Sequence, residues 1–246
     1  MAGELLFRPV FPSPFAILHY GEKHRELNKR LIDDIEDAIE DKNIKYKTFS
    51  KNACSKQTQS NMEERYDSFS ELRDIIHQAS VEAMVKSKIP YEIANSTRTQ
   101  HLWGNVVFDI GGFSKPHFHG SGRTLWSGVY YPKGLKEIEN LDEYDIKRSI
   151  QAGYSGEREA ENPTGGQLIV HDPARLIKSQ VKPDGELKGF TEYYGHDITI
   201  WPTESLLVLF PAWLEHMVAP SLTKNKRYSI SSVSYTHLTL PTKRIV

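Results

Sequence analysis

A chain of 246 residues, 38% hydrophobic and 26% charged, has the apolar content for one large globular domain or two small ones. Its formal charge of -1, with no run of five like charges, excludes attraction to nucleic acid or anionic membrane through net charge, and no apolar run approaches the roughly 20 residues of a membrane helix. The single cysteine, Cys54, excludes an internal disulfide; with no signal-peptide pattern at the N-terminus, the expected location is the cytoplasm.

Phe7 to Leu18 is extended, because Pro9, Pro12 and Pro14 rule out a helix interior. From Glu22 to Asn43, Leu27, Leu31, Ile35 and Ile39 recur every fourth residue, with Ile32 beside them, which predicts an amphipathic helix. Lys45 to Glu64 reads as polar and irregular. Ser68-x-x-Glu71 has the capping-box pattern and predicts the start of a second helix. Its stripe is Leu72, Ile75, Ile76, Ala79 and Ala83, and Pro90 stops it. Both stripes are expected to face a sheet.

Beyond Arg98 the texture changes to short β-rich runs (HLWGNVVFDI, LWSGVYY, GQLIVHD, HDITIWP, SLLVLFP, RYSISSV) separated by Gly, Pro, Asn and Asp. Only Leu135 to Ile150 hints at a helical period. Many short strands without helices between them predict an antiparallel sandwich or jelly roll carrying two N-terminal helices, a mainly β (α+β) fold. One domain is expected over residues 1–232: an N-terminal extended segment and two helices (1–98), then a jelly-roll core (99–232) holding a charged insertion at 134–163.

The chemistry centres on PHFH. Residues i and i+2 of a strand share a face, so His117 and His119 point to one place while Phe118 points away. Neutral imidazole is the commonest transition-metal ligand, and a third is available from His216, which follows the apolar strand Leu206 to Phe210; its neighbour Glu215 is the weaker candidate. Eleven residues on comes Arg227, a planar fork of donors suited to a carboxylate, with the Ser229 hydroxyl nearby. Taken singly, each has a plain alternative: a hydrogen-bonded surface histidine, or an arginine in a structural ion pair. The order HxH, then His, then Arg-x-Ser raises the odds of a metal cage beside an anion clamp.

In that order, and in the blocks SGVYY, GGQLIVHDPAR, LLVLFPAWLEHMV and RYSIS, the chain resembles the iron- and 2-oxoglutarate-dependent oxygenases, in particular a subgroup found in bacteria and phages. The resemblance covers roughly residues 100 to 232 and implies a double-stranded β-helix that holds Fe(II) and uses 2-oxoglutarate as cosubstrate with O2. It implies His117 and His216 as metal ligands, with His119 where most members have a carboxylate. Asp109, Asp172 and water are the alternatives for that position. It also implies Arg227 and Ser229 on the far carboxylate of 2-oxoglutarate. Tyr130 is expected on the cosubstrate side, and Trp126, Tyr131, Trp213 and Arg175 on the substrate side, though core packing explains aromatic residues equally well. Gly165-Gly166 reads as a hairpin turn. Thr203-Glu204-Ser205 stands where the subgroup tends to have a glycine turn.

The implied reaction is oxidation of a C–H bond, usually a hydroxylation, coupled to decarboxylation of 2-oxoglutarate. Its substrate is expected to be a protein side chain or small molecule, and no basic patch points to nucleic acid. Two other readings fit HxH…His: a cupin-like three-histidine dioxygenase without 2-oxoglutarate, and a non-enzymatic jelly-roll binding or structural module. Val233 to Thr242 resembles a translated sequencing adapter of the kind found at the ends of metagenomic reads. Residues 233–246 are therefore expected to be a non-native tail, and His237 is set aside as a ligand.

Overall fold

Alternation along a strand lets a central sheet bury both of its faces, and this chain uses that property to place helices on one side and a cavity on the other. The structure is a computed structural model that describes residues 13–41, 47–48, 54–120, 123–134, 150–152, 165–174 and 197–236. Among these the order is β1 (Ala16–His19), α1 (Arg25–Glu40), β2 (Lys47–Thr48), β3 (Ser55–Gln57), α2 (Asp67–Lys86), α3 (Tyr91–Asn95), β4 (Thr97–Val107), β5 (Ser114–His117), β6 (Thr124–Lys133), β7 (Ile150–Ala152), β8 (Leu168–His171), β9 (Asp197–Ile200), β10 (Leu206–Pro211), β11 (His216–Val218) and β12 (Arg227–Thr236).

The strands form a seven-stranded sheet, β1-β10-β6-β12-β4-β3-β2, and a five-stranded sheet, β5-β11-β8-β9-β7, with every pairing antiparallel. The fold is a jelly roll with helices against its larger sheet. Leu207 and Leu209 of β10, Trp126 and Tyr130 of β6 and Ile230 of β12 pack with Leu31, Ile35, Phe69 and Ile76 of the two helices. Residues of opposite parity (Leu206, Val208, Phe210, Val129, Tyr131) meet Leu168, Val170 and Ile200 from the smaller sheet.

α1 follows its predicted stripe, beginning after a 3-10 turn at Gly21–His24. It lies very close to β4: a Cβ at Gly104 would stand 2.6 Å from Cγ1 of the fully buried Ile35. The capping box is not formed. α2 starts one residue earlier than predicted, at Asp67, and no side chain caps it. Ser68 is already inside the helix, and its hydroxyl donates instead to the Asp34 carboxylate, tying α2 to α1. Pro90, expected to stop the second helix, caps the start of α3.

Lys45 to Glu64 is less irregular than predicted, since β2 and β3 extend the sheet beyond β4 and Met62–Glu64 forms a 3-10 turn. Thr203-Glu204-Ser205 does turn without glycine, with Ser205 at φ 61. Most of the insertion lies outside the described residues, apart from Gly134 and β7, which pairs with β9. The stretch set aside from residue 233 is divided. Val233 to Thr236 complete β12, with Val233 buried and Ser234 hydrogen-bonded to Thr99 at 2.9 Å, while 237–246 lie outside the described residues.

Replacing Gly104 with alanine should force α1 off the sheet and cost about 1–3 kcal/mol, as overpacking of a tight core does. A lowered urea midpoint at unchanged m-value is the expected result.

Candidate functional site

His117, the last residue of β5, follows Pro116 and stands directly opposite His216, the first residue of β11. The chain beyond β5 is stitched to the turn before β11 by a bond from the His119 N–H to the Ala212 carbonyl at 2.9 Å. Two strand ends thus deliver three imidazoles to one point. Ring centroids are 4.3 Å apart for His117–His216 and 5.1 Å for each of the other pairs. One nitrogen from each ring lies within 4.8 Å of the others, a spacing suited to a shared metal ion.

Backbone carbonyls set two of the rings. Nδ1 of His117 is 2.7 Å from the Lys115 carbonyl, and Nδ1 of His216 is 3.0 Å from that of Leu214. A carbonyl only accepts, so each Nδ1 carries the proton and each Nε2 keeps the lone pair a metal needs. Burial, reinforced by His117, lowers the pKa of His119 to about 4 and that of His216 to about 3. Both are therefore neutral, ligand-competent imidazoles near pH 7.

No carboxylate among the described residues joins the cluster. Asp109 accepts from the next backbone N–H (Ile110) at 2.8 Å, and Asp172 from Ala174 N–H at 2.7 Å, each closing its own turn. Glu215, on the chain just before β11, stays outside the group as well. Of the alternatives for the third position, His119 is the one the fold brings in.

The three histidines line a cavity of about 280 Å³ between the sheets. Arg227, 4% exposed, lines the same cavity with Ser229 and Tyr131. Its Nη1 donates to the Gly166 carbonyl, whereas its Nε is a buried donor with no partner. No carboxylate among the described residues pairs with it. Burial pulls its pKa below the ordinary arginine value, yet a guanidinium remains a cation in proteins. Burial likewise pushes the Tyr131 hydroxyl up to about 12. A buried cation that lines a cavity and keeps an unpartnered donor calls for an anionic acceptor.

Gly165 and Gly166 are not a hairpin turn. Both have positive φ (64 and 74), Gly165 bridges to Ser221, and a Cβ on it would meet the Pro220 carbonyl at 2.2 Å. Only glycine fits there, and the tight approach presents the Gly166 carbonyl to Arg227.

The other expected residues separate by strand parity. Tyr131 faces the cavity; Tyr130 and Trp126 face the helices, where the Tyr130 hydroxyl donates to Asn28 Oδ1 at 2.6 Å. Trp213 sits on the turn before β11, 54% exposed and outside the lining. Arg175 lies outside the described residues. The cavity instead presents Trp103, Asn105 and Gln57, from the paired strands β4 and β3, which sequence reasoning missed. Trp103 lies beside the cluster, its ring 5.6 Å from that of His119.

No family model and no curated protein sequence matches the chain. Solved structures do. A Pseudomonas putida prolyl-4-hydroxylase is similar over 91% of this chain and 93% of its own, with a TM-score of 0.52 at 13% identity. A Trichoplax adhaerens prolyl hydroxylase, in complex with a hypoxia inducible factor peptide fragment, is similar over 91% and 84%, with a TM-score of 0.51 at 13% identity. The epimerase SnoN from nogalamycin biosynthesis, in complex with Fe3+, alpha ketoglutarate and nogalamycin RO, is similar over 91% and 79%, with a TM-score of 0.54 at 11% identity. At these identities the likeness establishes the fold.

The lowered pKa values of His119 and His216 have a consequence for stability. The unfolded chain takes up protons near the ordinary 6.5 that the folded chain refuses. The metal-free protein should therefore be most stable above pH 6.5 and lose stability as pH falls from there through about 4 and about 3. Urea midpoints of metal-free protein across this range should show the decline, flattened in a His119→Gln, His216→Gln variant. Co(II) titration should give one ion per chain. His117→Ala or His216→Ala should weaken it by more than the about 10–100-fold typical of losing an outer-shell group.

Proposed function

We propose that the protein is an Fe(II)- and 2-oxoglutarate-dependent oxygenase that oxidises a C–H bond of a small molecule or protein side chain, most simply by hydroxylation. The observation that carries the reading is Arg227: a buried cation, its Nε without a partner, that lines the same cavity as the three histidines. The jelly-roll likeness to enzymes of this class supports it. Helices and jelly roll act here as one domain, since α1 and α2 bury the outer face of the sheet that carries Arg227.

When bound, Fe(II), 2-oxoglutarate and O2 supply the oxidising chemistry, with succinate and CO2 as coproducts. The chain binds and orients. His117, His119 and His216 would hold the metal through neutral nitrogens, leaving other coordination positions open. Arg227 would take the far carboxylate of 2-oxoglutarate, with Ser229 beside it, held in aim by the Gly166 carbonyl. Tyr131, Val129 and Leu168 keep water from that end. Tyr131 takes the place expected for Tyr130. Trp103, Asn105 and Gln57 form the wall left for the substrate. The solved relatives hold a peptide in one case and a small molecule in another, so both remain substrate classes for this chain.

A three-histidine dioxygenase without 2-oxoglutarate would leave Arg227 idle, and a non-enzymatic module would leave the convergence of three histidines without purpose. Purified protein with Fe(II), ascorbate and O2 should turn 2-oxoglutarate into succinate even without substrate, slowly. Arg227→Gln should raise the KM for 2-oxoglutarate about 10–100-fold, the worth of a charged hydrogen bond. Succinate formation retained in a His117→Ala, His216→Ala variant would falsify the assignment.

A further inference from the structure

Thr99 and Trp103 are four residues apart on β4, a spacing that should put them on the same face of the sheet. They face opposite ways. The Thr99 hydroxyl meets that of Ser234, its partner on β12. Tyr228 and Ile230 of β12 pack toward the helices, and Ser234, an even number of residues on, has the same parity. Trp103 pairs with Ser231, and both line the cavity. The flip comes from one extra residue on β4: Ser231 pairs with Trp103 and Val233 with Gln100, so His101 and Leu102 together oppose Ser232. His101 has a positive φ of 57, in the left-handed region that one class of β-bulge uses and that a histidine adopts at a cost.

One side chain holds this bulge. Glu63, on the 3-10 turn before α2, accepts the His101 N–H on Oε1 at 2.8 Å and the Leu102 N–H on Oε2 at 3.0 Å. Two adjacent backbone donors thus end on one carboxylate that is 9% exposed. Asn61, two residues before it, accepts on its Oδ1 from the Nδ1–H of the His101 ring. Were the bulge to relax to regular pairing, Leu102, Gly104 and Val106 would turn inward. Trp103 and Asn105 would then lose their places on the cavity wall.

We propose that Glu63 is a positioning residue of the site. By clamping the His101–Leu102 bulge it sets the parity of β4, which turns the Trp103 indole toward His119 and the Asn105 amide into the cavity. It acts on the substrate wall, not on the metal ligands or on Arg227. The inference rests on the proposed oxygenase reading only for what that wall is used for; the geometry is independent of it.

The test uses full-length protein labelled with 15N-tryptophan, whose four indole N–H signals are resolvable, the one lost in Trp103→Phe being Trp103. Co(II) should broaden that signal in the wild type. In Glu63→Ala the Trp103 signal should shift and lose its Co(II) broadening, while the other three stay in place and one Co(II) still binds. An unmoved, still-broadened Trp103 signal in Glu63→Ala overturns the proposal. Should Glu63→Ala fail to fold, Glu63→Gln, which keeps one acceptor oxygen, is read in the same way. There, a Trp103 signal that moves alone supports positioning; all four moving together, or none, overturns it. If Co(II) broadens no signal in the wild type, the metal reading fails instead, and the Trp103 shift alone still decides the role of Glu63.

Discussion

The pairing of His117 with His216 across two strand ends is the contact on which the site depends. Antiparallel register places the two rings 4.3 Å apart at the cavity, and the N–H of His119, bonded to Ala212, brings the third ring to them. Neither strand is long: β5 has four residues and β11 three. Their positions are borrowed from the larger sheet, through the apolar β10 that leads into the turn before His216 and through the bond from Ala212 N–H to the Leu125 carbonyl.

Around that contact, polar groups are satisfied in a graded way. Backbone carbonyls fix the tautomers of His117 and His216. Arg227 has one partner in Gly166 and one idle donor. A buried, half-satisfied cation is unfavourable for the protein alone, and such a cost is sensible where a ligand completes the set. Burial that lowers the histidine pKa values works in the same direction, since it keeps lone pairs available near neutral pH. The acid sensitivity expected of the metal-free protein and the free lone pairs of its imidazoles thus share one cause.

Much of this was legible in the sequence because it rests on local rules. The period-four stripe of α1, the β-rich runs after Arg98 and the i, i+2 spacing of His117 and His119 each carry their meaning within a few residues. What was not legible depends on long-range register. Tyr130 and Tyr131 are adjacent, and only the packed sheet says which faces the cavity. Trp103 reads by simple alternation as a partner of Thr99, until a bulge held by a residue 40 positions away from it in chain order reverses the face. The capping box failed for a similar reason: the Ser68 hydroxyl found Asp34 of another helix before its own N-terminus. The glycine pair at 165 and 166 looked like a hairpin because its sequence carries no sign that Arg227 needs a carbonyl there.

The claim at the centre is that three imidazoles and no protein carboxylate hold the metal, with room beside them for a chelating cosubstrate. X-ray absorption on the Fe(II)-loaded protein, recorded with and without 2-oxoglutarate under anaerobic conditions, addresses it directly. The account predicts three imidazole ligands in both spectra, with added oxygen scattering rearranged when 2-oxoglutarate binds. A first shell of two imidazoles with a protein carboxylate, or a spectrum indifferent to 2-oxoglutarate, would contradict it.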